Sequence, residues 1–143
     1  MKWEEVDLLV QVLAKKINDS GWRPSVIVGI ARGGLIVAVM LAHRLKIRQV
    51  FSVGIARYVD QCASDCGEYQ TFNEYPDGEI LVVDDIADHG ETLQHVKDYL
   101  ESIERFDVKF SAMLWKKGCS FTLDFFGAKV TNKPWVVFPW EKQ

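Results

Sequence analysis

The stretch "ILVVDDIADHGETL", residues 80 to 93, limits the fold more than any other part of the 143-residue chain. An unbroken aliphatic run of this kind reads as a strand covered on both faces, which is the pattern of a parallel sheet held between helices. The strand is predicted over "EILVV" (79–83). A helix is predicted from 91 to about 104, with Leu93, Val96, Leu100 and Ile103 turned inward. Two adjacent aspartates, a third acid, a glycine and a threonine lie between the two elements.

The rest of the chain repeats this alternation. Trp3, Val6, Leu9, Val10, Leu13 and Ile17 recur at helical spacing over residues 3–18, with Glu4, Glu5, Lys15 and Lys16 on the other side. "SVIVGI" (25–30) is a short β-rich run, followed by "ARGG" and an apolar helix over 35–45. "VFSVGIARY" (50–58) and "VKFSAMLW" (108–115) complete four strands, and the tail after them is expected to be irregular. Residues 59–78 are polar and without a sustained period, which fits a long loop or a flap. The expected fold is therefore α/β, a three-layer domain with a mostly parallel central sheet flanked by helices. In such sheets ligands sit beyond the carboxyl ends of the strands, where strand order reverses. "GIARGG" and "DDIADHGET" occupy such positions.

Two chemistries compete for the acidic pair. A strand ending in two acids also opens the phospho-accepting receiver domains of signalling proteins. Position excludes that reading, because only 58 residues follow Asp85 and three strands' worth of chain precede it. The other chemistry is a phosphate cradle. Backbone N–H groups over 88–92, together with the positive end of the following helix, suit a phosphate dianion. Gly90 allows close approach or a positive φ, and Thr92 adds a hydroxyl donor. Asp84 and Asp85 would repel that phosphate, so they suit hydroxyl groups or a divalent cation a few ångströms away. A 5-phosphorylated sugar has this arrangement of groups.

Composition narrows the partners. With 17 basic and 20 acidic residues the net charge is −3, so nucleic acid is not expected as a partner. No apolar run approaches the ~20 residues of a membrane span, and "MKWEEVDLL" lacks a signal-peptide apolar region; a cytoplasmic setting is expected. Cys62, Cys66 and Cys119 form an odd set without zinc spacing and read as free thiols. His43 and His95 read as helix-surface or boundary residues.

"ILVVDDIADHGETL" resembles the phosphoribosyl-diphosphate binding motif of the type I phosphoribosyltransferases, and matches it at every position except His89, where the family usually has Thr or Ser. "IVGIARGGLIVAVMLAHRLKIRQV" is similar to the diphosphate-loop segment of the xanthine–guanine (6-oxopurine) branch, with Ala31 in place of a serine and with Arg32, Gly33 and Gly34 retained. "IARY" resembles the start of that family's flexible catalytic loop, which carries over Tyr58 and, less directly, Arg57. "SAMLWKK" aligns with the strand whose lysine reaches the 6-oxo group of the base, here Lys116, with Lys117 at the surface. "KPWVVFPWE" looks like the family tail, with Trp135 stacking on the purine and Val136 offering a backbone carbonyl. Trp140 reads as core.

The resemblance implies one phosphoribosyltransferase domain over 1–143, with a core of about 1–116 and a small base-binding hood over about 117–143. It implies transfer of 5-phosphoribosyl from phosphoribosyl diphosphate to guanine, xanthine or hypoxanthine, with Mg²⁺ as cofactor, as a homodimer or homotetramer. Asp84 and Asp85 would hold ribose hydroxyls or the metal, directly or through water. Asp88, His89, Gly90, Glu91 and Thr92 would form the 5-phosphate loop. Arg32, Gly33 and Tyr58 would serve the diphosphate, and Asp88 would be the catalytic proton acceptor. The alternatives are a regulator on the same fold that binds nucleotide or RNA, and a transferase for another base.

Overall fold

A computed structural model describes residues 1–54, 78–105, 107–131 and 135–142. Three helices are described: α1 (Trp3–Asp19), α2 (Gly33–Leu45) and α3 (Glu91–Ser102). The strands are β1 (Val26–Ile30), β2 (Gln49–Val53), β3 (Ile80–Ala87), β4 (Val108–Lys116) and β5 (Phe125–Val130), and a 3₁₀ turn spans Pro139–Glu141. The five described strands form one sheet in the order β2-β1-β3-β4-β5, and every pairing among them is parallel. The α/β class and layered architecture match the expectation from sequence.

Side-chain alternation along β3 divides the interior in two. Leu81 and Val83 face α1 and α2, joining Val6, Val10, Leu13, Ile17, Val37 and Leu41. Ile80 and Val82 face the opposite side, with Leu93, Val96 and Leu100 of α3 and with Phe110 and Phe121. A strand buried on both faces has no polar alternation to keep, which explains the unbroken aliphatic run. The first turn of α1 is closed by Lys2 N–H donating to Glu5 Oε2 at 2.6 Å. α2 ends with Lys46 in the left-handed region (φ 58°) and Ile47 N–H on the Ala42 carbonyl at 2.9 Å.

Three boundaries differ from the reading of the sequence. β3 continues through both aspartates to Ala87, because 84–87 pair with β4 at Ala112, Leu114 and Trp115. α2 begins at Gly33 rather than at 35. The tail is not irregular throughout: β5 extends the sheet beside β4. Of the strand predicted over 50–58, residues 50–54 are described and the strand runs Gln49–Val53; residues 55–58 and the loop over 59–77 lie outside the described residues.

Candidate active site

Strand order reverses between β1 and β3, since β2 lies to one side of β1 and the later strands to the other. The carboxyl ends of these two neighbours carry the 31–34 turn and the 84–90 segment, so both glycine loops meet at the switch point. Ala31 N–H donates to the Val53 carbonyl at 2.8 Å, and Leu35 N–H to the Arg32 carbonyl at 3.2 Å. Arg32 is exposed at the N-cap of α2, with a cis peptide bond before it.

α2 begins on two glycines because β3 leaves no room for side chains. A Cβ on Gly34 would lie 2.5 Å from the Val83 carbonyl oxygen, and one on Gly33 would lie 1.8 Å from Asp85 Oδ2. The diphosphate-like turn is therefore pressed directly against the acidic pair. Asp84 is buried, and its Oδ1 accepts the Asp85 N–H at 2.9 Å; Asp85 Oδ1 accepts the Ile86 N–H at 2.8 Å. Burial, then the charge of Asp85, pushes the Asp84 carboxyl well above the usual carboxylate range. Burial is also the main cause of the upward shift at Asp85, against which backbone N–H donors act and to which Glu141 adds a smaller repulsion.

Past β3 the chain turns at Gly90, where φ is 95°, into the first turn of α3. Among the described residues no side chain caps this helix at Gly90, although its first N–H groups have no acceptor within the helix. Asp88 and Thr92 are half-buried; His89 and Glu91 are exposed. The loop is backed by the turn that follows β4. Ser120 donates to the His89 carbonyl from both N–H (3.1 Å) and Oγ (2.8 Å). A Cβ on Gly90 would meet Phe121 Cβ at 2.7 Å.

Beside this loop is a cavity of about 190 Å³ lined by Asp85, Asp88, Lys116, Trp135, Val136 and Glu141, among others. Lys116 Nζ lies 2.8 Å from Asp88 Oδ1, while His89 Nδ1 lies 3.7 Å from the same oxygen on the outer side. Trp135 is 75% exposed and presents an indole to the opening. Trp140 is instead packed on Phe138 (4.7 Å, nearly coplanar) and Trp3 (5.8 Å). Lys117 is exposed, and its N–H donates to the Val130 carbonyl at 2.8 Å.

The structure thus brings Asp85, Asp88, Lys116, Trp135 and Val136 to one cavity, with Asp84 and Gly33 directly behind Asp85 and with His89, Gly90, Glu91 and Thr92 at the loop and helix start. Arg32 stands at the rim of the neighbouring turn. Tyr58, Arg57, Cys62 and Cys66 lie outside the described residues. Two neighbours of these residues were missed from sequence. Glu141 closes "KPWVVFPWE" and could have been read from that tail as an acid facing the pair. Ser120 carries no motif signal at all.

Among the described residues, no group of three or more His, Cys, Asp or Glu side chains could hold a metal ion. Two adjacent carboxylates, Asp84 buried and Asp85 half-buried, still place two acids at one spot. This donor set fits a hard cation such as Mg²⁺, which shares its coordination with ligand oxygens and water rather than sitting in a protein cage.

A parallel sheet with a cavity at the carboxyl ends of β3, β4 and β5, an acidic strand end and a glycine turn into a helix start together form a site suited to a phosphorylated ligand. The phosphoribosyl transferase domain model matches residues 2–142, and the chain belongs to that family. It is 28% identical to the xanthine-guanine phosphoribosyltransferase of Idiomarina loihiensis, with 99% of this chain and 85% of that protein covered. Identity to the xanthine-guanine phosphoribosyltransferase of Nitratidesulfovibrio vulgaris is 27%, covering 99% and 83%. A crystal structure of purine phosphoribosyltransferase from Pyrococcus horikoshii superposes with a TM-score of 0.83 at 29% identity, over 100% of this chain and 93% of that one.

Proposed function

We propose that the protein transfers the 5-phosphoribosyl group of phosphoribosyl diphosphate to guanine, xanthine or hypoxanthine, giving the nucleoside monophosphate and diphosphate. The observation that carries this reading is the meeting of Lys116, Asp88 and exposed Trp135 on one cavity beside the loop at Gly90. A cation, a proton acceptor and a flat aromatic face are what a 6-oxopurine needs: a donor to its oxo group, a base for its imidazole proton and a stacking surface. The Val136 backbone adds an acceptor for the base's edge.

In this reading the N–H groups over 88–92 hold the 5-phosphate, and Asp84 and Asp85 bind ribose hydroxyls. Arg32 and the bare backbone of Gly33 receive the departing diphosphate, helped by Tyr58. As the bond from the anomeric carbon to diphosphate breaks and the bond to the purine nitrogen forms, Asp88 takes the proton that the ring nitrogen loses. Lys116, freed from Asp88 by the incoming base, donates to the oxo group. The chain contributes mainly position and preset charge, since the reacting carbon becomes cationic without a protein nucleophile. Mg²⁺ held at Asp84 and Asp85, directly or through water, would neutralise the leaving diphosphate.

The proposal includes the core and hood division near residue 117 as a division of labour, with β5 structurally part of the sheet. It also includes a cytoplasmic setting and a homodimeric or homotetrameric state. No helix among the described residues is long and apolar enough to cross a membrane. A nucleobase panel with phosphoribosyl diphosphate, with and without Mg²⁺, followed by diphosphate release, tests the reading. Release with the three 6-oxopurines is the expected result. Release only with adenine or uracil would refute the base assignment, and none with any base would refute transfer.

A further inference from the structure

We propose that Ser120 is a positioning residue for the 5-phosphate, acting through the His89–Gly90 peptide. The inference rests on the function proposed above. Ser120 reaches the His89 carbonyl with both its N–H (3.1 Å) and its Oγ (2.8 Å), so one residue spends two donors on one oxygen. In a planar trans peptide the carbonyl and the following N–H point in opposite directions. Among the described residues the only cis bond is Ala31–Arg32, so His89–Gly90 is trans. Fixing the His89 oxygen toward Ser120 therefore points the Gly90 N–H in the opposite direction within the peptide plane, away from Ser120, where the proposed function places the 5-phosphate.

The surrounding turn makes this a firm support. Lys117 N–H is held by the Val130 carbonyl at 2.8 Å, and Cys119 N–H by the Lys116 carbonyl at 3.1 Å. Cys119 Sγ donates weakly to the Phe121 carbonyl at 3.6 Å, and Phe121 closes on Gly90. The residues that follow the base-facing lysine thus also set the direction of a phosphate donor. Without the hydroxyl the His89 carbonyl keeps only the Ser120 N–H, so the peptide is held by one donor instead of two, and a Gly90 N–H that must be ordered further at binding contributes less.

The test compares wild type, Ser120→Ala and Ser120→Thr in two measurements. Steady-state kinetics gives KM for phosphoribosyl diphosphate and for the base; calorimetric titration compares GMP with guanosine, which differ by the 5-phosphate alone. Ser120→Ala is expected to raise KM for phosphoribosyl diphosphate and Kd for GMP about fivefold, the weight of one hydrogen bond. Guanosine affinity, base KM and Tm stay at wild-type values, and Ser120→Thr, which keeps the hydroxyl, restores the phosphate-bearing ligands. Equal weakening of GMP and guanosine, or no change in either, would overturn the inference. The two readings separate cleanly. Wild type that binds GMP without transferring to any base defeats the functional reading, and the GMP-to-guanosine comparison then still decides Ser120. Wild type that binds neither defeats both.

Discussion

Asp84 has the least comfortable position of any residue described. It is buried beside a second carboxylate, and both are shifted upward, Asp84 strongly. Between the ordinary aspartate value of about 3.9 and its raised folded value, the native state keeps a proton that the unfolded state has released. Stability therefore falls as pH rises through that window. Asp84→Asn should melt higher than wild type near neutral pH, with the gap closing on acidification toward about pH 4, while turnover drops sharply. Thermal melts across that range check it; a gap independent of pH would count against the assignment. Lys116 gives a second residue-scale prediction. Lys116→Met should raise KM for 6-oxopurines at least about tenfold, in line with loss of a charged hydrogen bond, and leave KM for phosphoribosyl diphosphate near its wild-type value. Parallel rises in both constants would argue against a role confined to the base.

For the elements, the join between α2 and β3 matters most. Gly33→Ala and Gly34→Ala are the same chemical change with different neighbours. At Gly34 the new methyl meets a strand carbonyl 2.5 Å away, so the helix must lift and Tm should fall. At Gly33 it meets a carboxylate that can rotate, so Tm should fall less while activity falls more, because the Asp85 carboxylate leaves its place. Melting curves and kcat/KM for the pair check the contrast. This join was only half legible in the sequence. The two glycines were plain, but glycine's poor helix propensity argued for a later helix start, and only the backbone of β3 explains why glycine must begin it. β3 itself was readable to Val83 and no further, since Asp84 and Asp85 read as loop until β4 supplies their partners. β5 escaped notice for a similar reason. Gly127 and exposed Lys129 interrupt its apolar pattern, and among the described residues its partner strand is β4 alone. The motif residues were legible because their chemistry is local; Ser120 was not, because its role depends on a contact 31 positions away.

At the scale of the molecule, one sheet serves two interiors. Leu41 is buried on the α1 and α2 side and Leu93 on the α3 side. Truncating either to Ala should destabilise by about 2–5 kcal/mol. Because β1, β3 and β4 supply both halves, each variant should still melt in a single transition followed by calorimetry. Separate transitions would mean that the halves fold independently. The carboxyl ends of β3 and β4, which line the candidate site, belong to strands packed on both faces.

Trp135 stands apart from this packing. With 75% of its surface in water, its indole emits in a polar environment, whereas Trp22, Trp115 and Trp140 are at least half covered. A flat base laid on that ring would exclude solvent from it and exchange excitation with it. The protein therefore carries its own optical probe at the entrance to the cavity, and base occupancy can be followed as fluorescence quenching that Trp135→Leu abolishes.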